Sequence, residues 1–441
     1  MPTVIGLIFF FVGLYCFLFK EDWLFGLLII AIVFEAASAV NFGERGLQPY
    51  YIVSLFVVAR GLLKWSHRVG RNHRMPEGMW LLMFAVIGAA SAVVLPIVFA
   101  GIPVYDAKVG IDDGLFIQPP LHLGLNNFVQ GTFLLWHVLT AYSILAINTP
   151  SRKVYNAYLW TFYILFLVVL AESVCQLIDI PFPHSVFLNN PGYSVWGRES
   201  EVAGMRNPGT FSEPSLAGGF LVMYVVGFLA RYLAGRGGMF KLIASLAASG
   251  LVTSGGSLLT ISLITPFLLL KYSPFRFPWF INAPKVKRLA WVMAIFAIPV
   301  LLMIIGPSGY SETLLSNTTA KGESSSFFNR TAADLYALQL VVRTDGLGVG
   351  IGSNRASSLV TTLMSNVGIV GFLVFWIYLF RLFTKLPAEY SWLKWGAAGL
   401  LLNMSLSVAD VTMPMLWLPI LLAIYFNSPA SGGVDASYDN L

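Results

Sequence analysis

The segment Arg206-Asn-Pro-Gly-Thr-Phe-Ser-Glu-Pro-Ser215 gathers the residue types that act on an anionic, hydroxyl-bearing substrate. It carries a guanidinium, a Gly and two Pro that bend the backbone, and the carboxylate of Glu213, directly ahead of the apolar run Leu216 to Ala230. A polar cluster at a membrane surface is costly to keep against a bilayer, so it reads as a site. Arg grips phosphate oxygens through a planar fork of donors and keeps its charge in a partly apolar setting. Arg206, Arg330, Arg343 and Arg355 fall in two polar loops, and a pyrophosphate is the ligand class such a set fits. The plainer expectation is that each Arg snorkels to headgroups or pairs with a nearby acid. Glu213 is the candidate general base, the group that takes the proton of an attacking hydroxyl. Against that stands helix capping by Ser212 or Glu213, with Pro214 at the first helical position.

Other groups extend the constellation. Gly346-Leu-Gly-Val-Gly-Ile-Gly352 runs into Ser353-Asn354-Arg355, where exposed backbone N–H groups would form an anion nest. The alternative is a close approach of two backbones. The Gly spacing is not that of a dinucleotide fingerprint. Asn354, Ser215 and the aromatics Trp196 and Tyr193 are candidate substrate contacts, the alternative for the aromatics being interfacial belt residues. Glu35, Arg60 and Glu172 lie within apolar runs, Asp410 near the end of one, and Glu35 is expected to pair with Arg60. No metal-ligand spacing is present among the five His, and Cys16 and Cys175 both fall in apolar runs. No cofactor is called for.

The elements that must position these groups are membrane helices. Hydrophobic residues make up 57% of the 441 residues and charged residues 11%, far below the ~25% of a soluble domain. Thirteen candidate spans are centred near 11, 32, 56, 89, 137, 165, 223, 247, 264, 298, 371, 400 and 420. The pair near 247 and 264 is short, flanking Thr253-Ser-Gly-Gly-Ser257, and the last pair is expected to be partly re-entrant, which makes twelve the alternative count. The first is read as a retained span, not a signal peptide. Alternate loops are basic and, with Lys20, hold 18 of the 27 Lys and Arg residues. The positive-inside rule puts those loops in the cytoplasm and the longer ones, roughly 101–126, 178–214 and 307–358, outside. The pI of 9.2 thus reflects topology, and nucleic acid is not an expected partner. Within the third loop, Leu335, Leu338 and Val342 recur at helical spacing, which predicts a short amphipathic helix on the outer face.

Three features in this order resemble the O-antigen ligase and Wzy-type polymerase superfamily of bacterial envelope glycosyltransferases. They are Arg206-x-x-Gly209-x-Phe211-x-Glu213-Pro214-Ser215 opening a span, the short helix pair meeting at Thr253-Ser254-Gly-Gly, and a long outer loop with Arg330. That loop then carries the Gly-rich run and leads into a span containing Asn366-Val-Gly368-Ile-Val-Gly371. The resemblance covers roughly residues 195–380. It implies an all-α polytopic membrane protein of about 12–13 transmembrane helices with two large periplasmic loops, similar to the GT-C architecture. The corresponding division is an N-terminal bundle over 1–194, a catalytic region over 195–380 and C-terminal helices over 381–441. It also implies a bacterial inner-membrane enzyme, active on the periplasmic side, that uses polyprenyl-pyrophosphate-linked oligosaccharide and works beside other polysaccharide assembly proteins. Arg206 and Arg330 match the family's pyrophosphate-binding arginines, with Arg343 and Arg355 as secondary candidates. The Glu-Pro-Ser form, and Ser353-Asn354-Arg355 where ligases carry a His-Asn pair, are more similar to the polymerase branch. A ligase that transfers finished polysaccharide is the first alternative, and a lipid-linked sugar transporter the second.

Overall fold

A computed structural model describes residues 1–67, 75–105, 118–193, 207–252, 254–272, 291–292 and 325–428. Arg206, Trp196, Thr253, the span expected near 298 and most of the Ser/Thr-rich stretch 311–326 lie outside the described residues. The described chain is mostly helical. Helices α1 (Val4–Phe19) and α2 (Leu24–Ala31) are followed by a small antiparallel hairpin, β1 (Val40–Phe42) paired with β2 (Arg45–Leu47). Then come α3 (Pro49–His67), α4 (Gly78–Val98), α5 (Leu125–Ile144), α6 (Ser151–Leu177) and the single turn α7 (His184–Phe187). The second half holds α8 (Pro214–Leu233), α9 (Met239–Val252), α10 (Gly255–Lys271), α11 (Ser325–Arg343), α12 (Leu359–Thr384), α13 (Ser391–Ser407) and α14 (Pro414–Phe426).

A bilayer core of ~30 Å takes about 20 helical residues to cross. Four helices, α4, α6, α8 and α12, are long and apolar enough to do so, and α1, α9, α10 and α14 are shorter apolar helices. The outer surface of the bundle is itself apolar: Phe11, Val86, Ile97, Leu167, Phe267 and Phe380 are all exposed. Such a surface suits hydrocarbon as its solvent.

At the centre are α8 and α14, whose described side chains are almost all buried. Helix α8 packs mainly against α13, α9 and α10, while α12 packs against α4. Small residues make the close contacts possible. Gly218 of α8 lies against Ser254 and Ser257, Gly219 against Asn403 of α13, and Asn403 Nδ2 donates to Thr260 Oγ1 over 3.2 Å. The Ser254-Gly-Gly-Ser257 stretch is therefore a place where the short helix α10 docks onto the central helix, as small-residue packing in membranes allows.

Polar contacts sort the bundle into two ends. At the basic end, Glu21 holds Arg60 (2.7 Å) and Lys64 (2.5 Å), Lys153 pairs with Asp22, and Glu77 holds Arg381 (2.6 Å) and Lys385. At the opposite, loop end, segments distant in sequence are joined by hydrogen bonds, beginning with Thr3 N–H to Ala39 O (3.1 Å) and Ser38 N–H to Asn189 Oδ1 (2.7 Å). The expected Glu35–Arg60 pair does not form. The two residues lie on consecutive antiparallel segments but at opposite ends, Arg60 with Glu21 and Glu35 at the loop end.

The basic end yields a pH prediction. The Arg381 guanidinium, with Lys385, holds the Glu77 carboxyl below its usual range, against a smaller opposing effect of burial. Because the folded value is depressed, the stabilisation is complete above the unfolded value of about 4.3. It is lost as pH falls through the folded value. Arg381 and Lys385 are 48% and 57% exposed, so the contribution is at most about 1 kcal/mol. Glu77→Gln should lower the melting temperature of the detergent-solubilised protein by about 2 °C at neutral pH. The gap should close below about pH 4; a gap unchanged in acid would contradict this assignment.

Candidate functional site

The loop Asn207–Glu213 is fastened at both ends by buried carboxylates. Gly209 N–H donates to Glu172 Oε2 of α6 (3.3 Å), and Ser212 N–H donates to Glu35 Oε2 (2.9 Å). Between them, Thr210 Oγ1 donates to Val33 O (2.5 Å) and Ala36 N–H donates to Thr210 O (3.1 Å). Asn207 bridges Gln176 (2.7 Å) and Ser173 Oγ (2.6 Å) of α6. The sequence permits this because α2 ends at Ala31 and leaves the backbone of 32–39 irregular, with groups free to pair outside a helix. Irregular backbone at membrane depth is tolerated where protein satisfies it.

Glu213 follows at the N-cap position of α8, in extended conformation, with Pro214 at the first helical position. Its side chain makes no capping hydrogen bond, and Ser212 directs both its N–H and its hydroxyl to Glu35, so neither residue caps the helix through its side chain. The half-buried Glu213 carboxylate instead accepts Ser215 Oγ–H at 2.9 Å. Its charge is felt at Glu35.

Around Glu35 the loop end is polar throughout. Gln48 Nε2 donates to Glu35 O and to the Tyr193 hydroxyl, each at 2.9 Å, and that hydroxyl bonds the Glu35 carboxylate. Tyr193 also feels the charges of Asp410 and Arg355. Asp410 Oδ1 accepts Thr412 N–H (2.7 Å) and hydroxyl (2.8 Å), while Thr412 O accepts His137 Nε2–H (2.7 Å). A carbonyl only accepts, so Nε2 carries the proton and Nδ1 accepts from the Tyr50 hydroxyl at 3.0 Å. Trp417 stacks on that ring at 4.8 Å.

The Gly-rich run is a backbone-to-backbone contact. Helix α12 breaks at Gly368 (φ 71°, ψ 179°), which frees carbonyls of its first turns. Val349 N–H donates to Ser365 O (2.7 Å), Gly350 N–H to Asn366 O (2.9 Å), and Ile369 N–H returns to Gly346 O (2.8 Å). Gly348 N–H goes to Thr344 Oγ1 (2.9 Å) and Asn354 N–H to Asn366 Oδ1 (3.2 Å), so the donors of an anion nest are largely engaged inside the protein. Asn354 is buried, its amide held by Tyr105 N–H (3.2 Å) and Ser365 Oγ (3.1 Å).

The arginines separate by environment. Helix α11 runs Ser325–Arg343 as an amphipathic element, with Leu335, Leu338 and Val342 exposed and Ala333, Ala337 and Leu340 buried. Its Asp334 accepts Ser357 N–H (2.8 Å), Ser358 N–H (3.2 Å) and the hydroxyls of Ser357 and Thr361 (both 2.6 Å), which pins α11 to the start of α12. Arg330 lies one helical turn before Asp334, on the same face. It is half-buried, and no hydrogen bond or ion pair ties it to another described residue. Arg343 is exposed and stacks over the Tyr336 ring at 5.7 Å. Arg355 is exposed on the loop just ahead of α12.

The structure therefore brings Glu213, Ser215, Tyr193 and Arg355 to one end of the bundle, with Arg330 beside the start of α12. Glu35, Gln48 and Asp410 join this group without having been assigned to it from the sequence. For Glu35 a signal existed, since a carboxylate inside an apolar run is a site hypothesis by default. For Gln48 there was none. Set against known proteins, the chain matches no protein-family profile, and no curated sequence matches it.

Proposed function

We propose that this chain is a membrane glycosyltransferase that polymerises polyprenyl-pyrophosphate-linked oligosaccharide repeat units into a surface polysaccharide. The observation that carries the reading is the loop end of an apolar bundle, where Glu213 makes no capping hydrogen bond through its side chain and the half-buried Arg330 has no hydrogen-bond or ion-pair partner among the described residues. The motif order that resembles the O-antigen ligase and Wzy-type superfamily supports it. So does the basic opposite end, which by the positive-inside rule faces the cytoplasm and leaves the site on the periplasmic side of a bacterial inner membrane. On this reading the fold is a GT-C-like bundle of 12–13 spans.

In the reaction, the hydroxyl oxygen of the acceptor repeat unit attacks the anomeric carbon of the donor. The bond from that carbon to the pyrophosphate oxygen breaks, and polyprenyl pyrophosphate leaves with the electron pair. Glu213 takes the hydroxyl proton. Arg330, with Arg206 and Arg355, stabilises charge that grows on the leaving group, the kind of interaction that strengthens in the transition state. Tyr193, its hydroxyl anchored by Gln48, is the aromatic assigned to sugar contact on this reading. Arg343 is the least engaged of the four arginines, because it already stacks on Tyr336.

The test is synthesis in proteoliposomes supplied with a polyprenyl-pyrophosphate repeat unit and resolved repeat by repeat on a gel. A ladder on the carrier lipid is expected. A single finished chain appearing only when a lipid A core acceptor is added would replace polymerase by ligase, and substrate that crosses the bilayer unchanged would remove covalent chemistry altogether.

A further inference from the structure

We infer that Glu35 is a positioning residue for the proposed transfer, holding the Phe211–Glu213 turn so that Glu213 points at the substrate. The activity part of this rests on the proposed function; the structural part does not. Glu35 is 3% exposed and lies in the irregular segment after α2. Its Oε2 accepts the N–H (2.9 Å) and the hydroxyl (3.1 Å) of Ser212, a residue 177 positions away in the chain. Among the described residues no Lys or Arg pairs with it; Tyr193 and Ser212 are its side-chain donors. A buried carboxylate is costly to maintain, and here it does a specific job on the backbone.

That job is to fix the residue next to Glu213. Ser212 gives both of its donors, the N–H and the hydroxyl, to one carboxylate. Glu213 follows directly, with extended backbone angles (φ −137°, ψ 146°) at the N-cap of α8, where it is half-buried and meets Ser215. Without Glu35, Ser212 regains the ordinary option of capping α8 with its hydroxyl, and the Phe211–Ser212 peptide and the Ser212 side chain, immediately before Glu213, are both released. The neighbouring contacts of Thr210 with Val33 and Ala36 form a seam between the two segments, but they act two residues upstream of Ser212 and do not engage its N–H or hydroxyl.

Two readouts test the inference. The first is hydrogen–deuterium exchange of the peptide covering 207–216 in lipid nanodiscs, which requires no activity. The second is turnover and KM for the lipid-linked repeat unit in proteoliposomes. Glu35→Ala should raise exchange at Ser212 at least tenfold and lower turnover roughly 100-fold with KM changed little, as displacement of a reacting group by about 1 Å does. Glu35→Gln keeps an acceptor oxygen for Ser212 and should restore both protection and most of the turnover. Unchanged exchange in Glu35→Ala would overturn the positioning role. Restored protection without restored turnover in Glu35→Gln would also overturn it, by making the charge itself part of the chemistry. Should Glu35→Ala fail to accumulate, Ser212→Ala removes the same clamp from the other side and is expected to show a smaller loss of the same kind; wild-type exchange and turnover in that variant would refute the proposal. If the wild-type protein makes no polymer, the proposed function fails while the exchange result still decides whether Glu35 holds the turn.

Discussion

Arg330→Ala should reduce polymer growth by roughly 100- to 1,000-fold, the usual cost of removing one preorganised group that stabilises transition-state charge. Arg330 is half-buried and makes no hydrogen bond or ion pair with another described residue, so its loss leaves no described group without a partner it had. Protein level and melting temperature should stay close to wild type, and the loss should fall on turnover. Arg330→Lys should recover part of the rate, because an ammonium supplies the charge but not the forked pair of donors. Arg343→Ala is the internal comparison. Arg343 is exposed and stacked on Tyr336, and its removal should alter the rate no more than a few-fold. Ladder rates of the three variants check this, and a wild-type ladder from Arg330→Ala would dispose of the donor-site assignment.

Gly368→Ala should prevent stable folding. Gly368 has φ 71° and ψ 179°, a region that is essentially closed to residues with a side chain. A Cβ there would also meet Gly346 O and Leu347 O at 2.5 Å, and both are backbone atoms that cannot swing away. The nearby Gly-rich run is equally tight: a Cβ on Gly348 would lie 2.8 Å from Ser365 O, and one on Gly350 2.6 Å from Ser91 O. Backbone strain alone costs on the order of 1–3 kcal/mol. Displacing the run would further break the hydrogen bonds from Val349 and Gly350 to the opened helix, each worth about 1 kcal/mol. The two terms together, about 3–5 kcal/mol, are a large fraction of the marginal stability of a folded protein, and the backbone clash adds to them. Gly250→Ala is the contrasting control, since open space surrounds that position in α9. It should be neutral or slightly stabilising, as Ala is a better helix former than Gly. Fluorescence-detected size exclusion of the two variants measures the difference; a monodisperse Gly368→Ala peak at wild-type yield would contradict the argument.

The chain's class is written plainly in its residues. Long apolar runs predict helices, the basic loops predict a common end, and the structure has four helices fit to cross a membrane, with acid–base pairs gathered at one end. The short pair α9 and α10 and the amphipathic α11 with Leu335, Leu338 and Val342 on one face were equally legible. All of these depend on local composition and periodicity, which a linear string records completely. Pro214 at the start of α8 is of the same kind.

What the string left open were matters of partnership. Glu213 was balanced between base and cap, and it is the Glu35 carboxylate that removes Ser212 from the cap. Glu35 had Arg60 as its apparent partner because the two lie in consecutive apolar runs, yet antiparallel packing puts them at opposite ends. The Gly-rich run read equally well as an anion nest or a close backbone contact until Gly368 broke α12 and offered carbonyls to it. Hydropathy adds up residue by residue, and so the sequence alone determined that this is a helical, membrane-type protein with its polar groups concentrated in a few loops. A hydrogen bond needs two groups within about 3 Å in a shared orientation, and for residues 177 positions apart that condition is set by how the helices pack, which only the tertiary structure decided.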